Sequence, residues 1–171
     1  MTYSTIYDDL IRAAMAQHFP QVEWLWGKAQ LIAESNLNPL AVSDAGANGI
    51  AQFMPDTWDE VTQDMGLTGA SVNDPEVAIP AYAFYMHRLW TAWTAPRPPL
   101  DRLQLAQASY NAGLGNVIHA QRLARRVGNA VAPNDYASII AELPQVTGED
   151  NARQTTHYVV RIANIYSELT S

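Results

Sequence analysis

The chain has 171 residues, of which 48% are hydrophobic and 16% are charged, a composition that indicates an ordinary globular protein and excludes a disordered one. The net charge of −7 argues against nucleic acid as a partner, because phosphate binding requires clustered lysine and arginine. The sequence contains no cysteine, so disulfides, thiolate metal sites and thiol nucleophiles are excluded.

Apolar residues repeat with helical spacing along most of the chain. The pattern predicts a first helix that begins at Ile6 and ends at Pro20, a second helix that ends at about Glu34, and then a loop from Asn36 to Asn48. A third helix is predicted from Pro55 to Met65, and a fourth begins at Asn73 and is interrupted and restarted at Pro80. The remaining predicted helices run from a cap at Asp101 through Tyr110, from the turn at Gly113 to about Gly128, and over about Asp135–Glu142 and Ala152–Leu169. No strand pattern of convincing length interrupts them. We therefore predict an all-α fold forming one domain over residues 1–171.

The residue that points most directly to chemistry is Glu34, which follows the apolar residues Leu31, Ile32 and Ala33 at a predicted helix end. Desolvation beside apolar walls favours the neutral form of a carboxyl group. A neutral carboxylic acid is what protonation of a glycosidic oxygen requires. The alternative interpretation is a solvated helix-end carboxylate without a catalytic role.

Three ordered blocks of sequence favour the catalytic interpretation. The first comprises Glu34-Ser35, Asn38-Pro39, Ala41-Val42-Ser43, Gly46-Ala47-Asn48-Gly49 and Gln52-Phe53-Met54-Pro55; the second is Tyr110-Asn111-Ala112-Gly113-Leu114-Gly115; the third is Gln154-Thr155-Thr156-His157-Tyr158-Val159. Together they resemble the lysozyme-like domain of lytic transglycosylases of the soluble-lytic-murein type. The resemblance runs from about Tyr7 to Ile165, nearly the whole chain.

The resemblance implies a lysozyme-like fold with a glycan-binding cleft, and it implies roles by position. Glu34 aligns with the catalytic acid and base of that family. The residues that align with its substrate-binding positions are Ser43, Gln52, Met54, Tyr110, Asn111 and Tyr158. Gln154 departs from the pattern, which has glutamate there. Because an amide both donates and accepts hydrogen bonds whereas a carboxylate only accepts, we carry Gln154 over as a binding residue with altered contacts.

The implied reaction cleaves the β-1,4 bond between N-acetylmuramic acid and N-acetylglucosamine in peptidoglycan. Glu34 protonates the glycosidic oxygen and then, as a carboxylate, accepts the proton of the muramic carbon-6 hydroxyl, which closes a 1,6-anhydro ring. This route needs no cofactor and no metal. The four histidines also lack metal-ligand spacing, so the sequence predicts no metal site.

Two alternatives stay open at this point. A muramidase would hydrolyse the same bond with a second carboxylate to activate water, and Asp44 is the candidate. A protein of another class, a structural or glycan-binding virion component, would use the same scaffold without catalysis. The acid at Glu34 disfavours the second alternative, since a pure binder does not need it.

The start of the chain carries neither the basic nor the apolar region of a signal peptide, and no apolar run is long enough to span a membrane. We therefore expect no membrane insertion, and either synthesis without a signal or its removal. The expected setting is a monomeric phage or prophage lysin, released at lysis or carried in the virion, that acts on glycan strands at the cell wall. A trimmed periplasmic bacterial enzyme is the alternative.

Overall fold

Helices account for most of the protein, as the spacing of its apolar residues predicts. The computed structural model describes residues 3–126 and 134–171. Within these ranges the helices are α1 (Asp8–His18), α2 (Trp24–Ser35), α3 (Pro55–Asp64), α4 (Pro75–Ala92), α5 (Pro99–Ala112), α6 (Leu114–Arg126), α7 (Tyr136–Ala141), α8 (Pro144–Thr147) and α9 (Glu149–Leu169). The β structure of the same residues is limited to two isolated bridges, Val42–Asn48 and Asn48–Phe53. The predicted all-α class is confirmed.

Most helix boundaries follow from local sequence. Pro55 opens α3, where its fixed φ suits a first turn and its missing N–H costs nothing. Gly113 separates α5 from α6 with a φ of 88°, a value that glycine adopts without strain. Asp135 caps α7, because its side chain accepts a 2.7 Å hydrogen bond from the backbone nitrogen of Ser138. The predicted end of α6 near Gly128 lies outside the described residues.

Two predicted boundaries are wrong. Pro80 does not restart a helix but lies inside the continuous α4. Its position near the start of α4 forfeits one intrahelical bond, to the carbonyl of the exposed Glu76. Asp101 is not a cap either, since α5 begins at Pro99, and its carboxylate accepts a 3.0 Å bond from the backbone nitrogen of Tyr136. The four-residue α8 was not predicted.

The chain divides into two compact units, residues 1–87 with 162–171 and residues 88–161. In the first unit α1 packs on α2, and the buried Lys28 Nζ lies 2.6 Å from the Asp8 carboxylate. Trp26 stacks on Tyr166 with the ring centres 3.9 Å apart. In the second unit α5, α6 and α7 pack together. The organisation as one domain over residues 1–171 stays a prediction.

None of the helices in the described ranges combines the length and the apolar character that a membrane crossing requires.

A long loop joins α2 to α3 and is ordered by its own backbone. Asn36 and Leu37 leave the helix with φ values of 54° and 62°. Asn48 then exchanges two hydrogen bonds with Phe53, at 2.9 and 3.0 Å, and Gly49 donates a 2.9 Å bond to the carbonyl of Ala41. These bonds fold the loop back on itself and order its backbone.

Gly49 lies closest to the backbone of a neighbouring segment of the first unit. Its φ is 78°, and a Cβ atom built on it would lie 2.3 Å from the carbonyl oxygen of Val72. Gly46, three residues earlier, has a similar φ of 87° but no atom within 4 Å of its would-be Cβ. The two glycines therefore share the backbone constraint and differ only in the clash.

We predict that Gly49→Ala destabilises the protein much more than Gly46→Ala. Both substitutions place alanine at positive φ, which costs about 1–2 kcal/mol. The clash at residue 49 is with backbone and forces a shift that costs a further ~1–3 kcal/mol. Urea unfolding of the two variants and the wild type measures the difference, and equal losses of unfolding free energy would contradict the close approach of Gly49 to Val72.

Candidate active site

Glu34 lies in the last turn of α2, a helix whose preceding turns are enclosed. All seven residues from Gly27 to Ala33 are buried, whereas Glu34 and Ser35 are half-buried. The helix ends at Ser35 and the chain turns at Asn36 through a left-handed conformation. The helix therefore holds the carboxyl group at the boundary between the core of the first unit and its surface.

A buried polar chain lies one helical turn before Glu34. The hydroxyl of Tyr82, on α4, donates a 3.0 Å hydrogen bond to Oε1 of Gln30, and Nε2 of Gln30 lies 3.4 Å from Sδ of Met86. Gln30 is 1% exposed and Tyr82 is 2% exposed. Since residues four apart share a helix face, these hydrogen-bonded side chains lie on the side of α2 that carries Glu34.

The phenol of Tyr82 is electrostatically linked to Glu34. Burial raises the pKa of Tyr82 well above its usual value, and the Glu34 carboxylate adds to the increase. Tyr82 therefore stays a neutral hydrogen-bond donor. Sequence analysis missed Tyr82 and Gln30; the available signal was a glutamine within the otherwise apolar α2, which needs a buried partner.

Ser35, the partner of Glu34 in the Glu-Ser pair, joins the helix end to the loop. Its hydroxyl donates a 2.7 Å hydrogen bond to the carbonyl of Ile50 and accepts a 3.2 Å bond from the backbone nitrogen of Asn38. A serine at this position therefore ties Asn38 and Ile50 of the loop to the end of α2, next to Glu34.

Two of the predicted binding residues, Ser43 and Gln52, form side-chain hydrogen bonds to the backbone of their own loop. The Ser43 hydroxyl accepts a 2.9 Å bond from the nitrogen of Ala47. Nε2 of Gln52 donates to the carbonyls of Ala41 and Gly49, at 3.1 and 2.9 Å. With both amide hydrogens used, Gln52 has its Oε1 acceptor left for a ligand.

Met54 and Asp44 are both exposed. Met54 is the residue before α3 and is 45% exposed, which leaves an apolar side chain open to a ligand. Asp44 lies in the turn that the 2.9 Å bond from the Gly46 nitrogen to the Ser43 carbonyl closes. Glu34, Asp44 and the three predicted binding residues of the loop all belong to the first unit.

The other predicted residues belong to the second unit. Tyr110 and Asn111 lie in the last turn of α5, and Gln154 and Tyr158 lie one turn apart on α9. A cavity of about 280 Å³ brings Asn111 and Gln154 together, and neither tyrosine is among its lining residues. The hydroxyl of Thr155 donates to Oδ1 of Asn111 at 2.8 Å, which ties α9 to the end of α5.

Within the described parts of the chain, no three histidine, aspartate or glutamate side chains cluster so that they could hold a metal ion.

Comparison with known proteins finds sequences that are similar to most of this chain. The chain is 31% identical over 170 residues to a membrane-bound lytic murein transglycosylase F from Desulfosudis oleivorans, covering 94% of this chain and 35% of that protein. It is 26% identical over 160 residues to the protein of the same name from Serratia proteamaculans, covering 91% of this chain and 30% of that one. The chain thus spans about a third of the length of the curated relatives it matches.

Solved structures show the same fold. The 70 kDa soluble lytic transglycosylase from Escherichia coli superposes with a TM-score of 0.71 at 22% identity, covering 99% of this chain and 25% of that one. An inactive glutamate-to-glutamine mutant of the lytic transglycosylase Slt from Pseudomonas aeruginosa gives 0.72 at 23% identity, with 98% and 25% covered.

The sequence model of the transglycosylase SLT domain matches residues 13–132, which is more than half of the chain and contains Glu34, the loop after it and the Tyr110 block. The resemblance expected from the three blocks is confirmed, and this chain belongs to the transglycosylase SLT domain family.

Proposed function

We propose that this chain cleaves the β-1,4 bond between N-acetylmuramic acid and N-acetylglucosamine in bacterial peptidoglycan and leaves 1,6-anhydromuramic ends. The observation that carries the proposal is the half-buried carboxyl of Glu34 at the end of a buried helix, in a chain of the SLT family. The names of its relatives, lytic murein transglycosylases, support the same reaction.

Glu34 carries both proton transfers in this proposal. As a neutral acid it donates its proton to the glycosidic oxygen as that bond breaks. The carboxylate that results accepts the proton of the carbon-6 hydroxyl, whose oxygen bonds to the anomeric carbon. The attacking group belongs to the substrate, so no water has to be positioned and the reaction gains from proximity. Tyr82, held neutral by burial, adds no charge near Glu34.

The predicted binding residues divide the remaining work. Gln52 offers an acceptor on a loop that its own amide hydrogens hold in place, and Met54 offers an exposed apolar surface. Ser43, Tyr110, Asn111, Gln154 and Tyr158 complete the proposed set of substrate contacts. We further propose that all of them act within one domain over residues 1–171.

The proposed place of action is the bacterial cell wall. The phage or prophage origin, the virion-borne form and the monomeric state expected from the sequence stay predictions, and the similar proteins named above are bacterial.

We predict that Glu34→Gln abolishes cleavage and leaves the fold intact. Glutamine has nearly the same shape but cannot deliver a proton, and loss of general acid–base catalysis costs at least ~10²–10⁴-fold in rate. The rate of turbidity loss of purified peptidoglycan and the melting temperature are measured together. Glu76→Gln, the same change at an exposed glutamate of α4, is the control and should retain full activity. A folded Glu34→Gln variant that still cleaves rapidly would remove Glu34 from the mechanism.

We also predict that the products carry no oxygen from water. Digestion in oxygen-18 water, followed at once by borohydride reduction and mass spectrometry, should give anhydro ends without heavy isotope. Reducing muropeptides incubated without enzyme control for exchange, and a digest by a muramidase shows the labelled pattern. Asp44→Asn should retain activity, because no water needs activation and Asp44 is an exposed turn residue. Labelled reducing ends together with an inactive Asp44→Asn variant would instead establish the muramidase reaction.

A further inference from the structure

The cavity in the second unit has a polar lining that is rich in side-chain amides. Four of its lining residues, Asn111, Asn116, Asn151 and Gln154, are asparagine or glutamine, and Thr147 and Thr155 add hydroxyl groups. Its volume of about 280 Å³ lies near the lower end of ligand sites, so it suits one sugar unit or a short piece of peptide.

Among the described residues that line this cavity, none carries a charge. An ionised ligand group therefore finds no opposite charge among these side chains. A neutral polar ligand does not need one, provided that donors and acceptors in the cavity match its own.

The hydrogen bonds within the lining decide which atoms remain for a ligand. Nδ2 of Asn116 donates to the carbonyl of Ala112 at 2.8 Å, and Nδ2 of Asn151 donates to the carbonyl of Thr147 at 2.9 Å. Both amides are therefore oriented by their nitrogen, and each has its Oδ1 acceptor left over. These two acceptors suit an N–H donor on the ligand.

Asn111 has the opposite orientation. Its Oδ1 receives the 2.8 Å bond from the hydroxyl of Thr155, which is 1% exposed, so Nδ2 remains as a donor for a ligand carbonyl. The side chain of Gln154 is exposed and makes no hydrogen bond to the described residues, so it can both donate and accept. Ala112 and Val146 add apolar atoms to the lining.

We propose that this cavity binds a neutral carboxamide group of the substrate, with its N–H on the asparagine acceptors, its carbonyl on Asn111 and its carbon substituent against Ala112 and Val146. Gln154 is the residue that sets the preference for a neutral over a charged group. The inference rests on the proposed function for its substrate, in which acetamido groups of the sugars and amides of the stem peptide share this chemistry.

The transglycosylases that the sequence resembles have glutamate at the position of Gln154, so the uncharged side chain there is a departure of this chain from their pattern.

Isothermal titration of the full chain with three probes tests the proposal: tri-N-acetylchitotriose, the corresponding glucosamine trimer, and a free stem peptide. The wild type should bind the acetylated trimer about tenfold more tightly than the amine, because an ammonium group cannot accept a hydrogen bond from Nδ2 of Asn111 and finds no opposite charge in the lining. A tenfold difference corresponds to ~1.4 kcal/mol. Asn116→Ala should raise the Kd of the acetylated trimer about fivefold, the factor that corresponds to one neutral hydrogen bond of ~1 kcal/mol.

Gln154→Glu should shift the preference toward the glucosamine trimer, because a carboxylate pairs with an ammonium group and no longer donates to a carbonyl. Asn164→Ala and Gln17→Glu make the same chemical changes at exposed positions outside the cavity and should leave every Kd unchanged. Circular dichroism and melting temperatures establish that all variants are folded.

The three probes separate the sources of the carboxamide. If the acetylated trimer binds and Asn116→Ala weakens it, the ligand group is a sugar acetamido group. If the stem peptide binds instead and Asn116→Ala weakens that, the carboxamide chemistry stands and the peptide supplies it. Equal and measurable binding of the acetylated and amine trimers, no effect of either cavity variant, or no binding of any probe would overturn the proposal.

Cleavage assays on the same variants keep this result apart from the proposed reaction. A wild type that binds as expected but does not cut peptidoglycan would contradict the proposed function and leave the cavity assignment intact. A wild type that cuts, with KM values unchanged in Asn116→Ala and Gln154→Glu, would contradict the cavity assignment alone. A raised KM with little change in kcat is the result expected for a binding role.

Discussion

The burial of α2 is the constraint on which the first unit depends. Seven consecutive residues, Gly27 to Ala33, are buried, so neighbouring elements have to cover the helix on all sides. At Gly27 the cover is so close that a Cβ atom would lie 2.8 Å from Sδ of Met15, so a larger residue there would require the Met15 side chain to move. Because α2 is fixed in this way, the position of Glu34 at its end is fixed as well.

Two polar residues within the buried part of α2 determine the orientation in which the helix packs. Lys28 is 3% exposed and needs its ion pair with Asp8, because an unpaired buried charge costs several kcal/mol. Gln30 needs the hydroxyl of Tyr82. A helix with only apolar residues would be stable in several rotations about its axis. These two partners select the rotation that directs Glu34 toward the surface beside Tyr82.

The sequence predicts much of the helical structure because the signals are local. The apolar spacing of α1, the proline that opens α3 and the aspartate that caps α7 act over a few residues. The errors arise where a contact distant in sequence decides. Asp101 suits a cap by its type, but its partner is Tyr136, thirty-five positions away. Pro80 suits a break, but near the start of α4 its missing donor is tolerated.

In the candidate site, too, local sequence patterns predict some residues and contacts distant in sequence determine others. Glu34 was predicted because a block of neighbouring residues identifies it, and Tyr82 was missed because its bond to Gln30 joins positions fifty-two residues apart. Gln52 and Ser43 were predicted as ligand contacts from their place in a block. Their hydrogen bonds show a second reason for those residue types, since each also holds the loop in shape.

The distribution of charge refines what the net value of −7 implies. Residues 1–87 and 162–171 contain twelve acidic and two basic residues, whereas residues 88–161 contain five acidic and eight basic residues. The first unit, which holds Glu34, therefore repels anionic groups over about the Debye length of ~8 Å at physiological salt. The second unit has a net positive charge, yet its amide-lined cavity contains no charged side chain among the described residues. Anionic groups are thus tolerated near the second unit but not drawn into that cavity, and selection within it depends on hydrogen bonds rather than on charge.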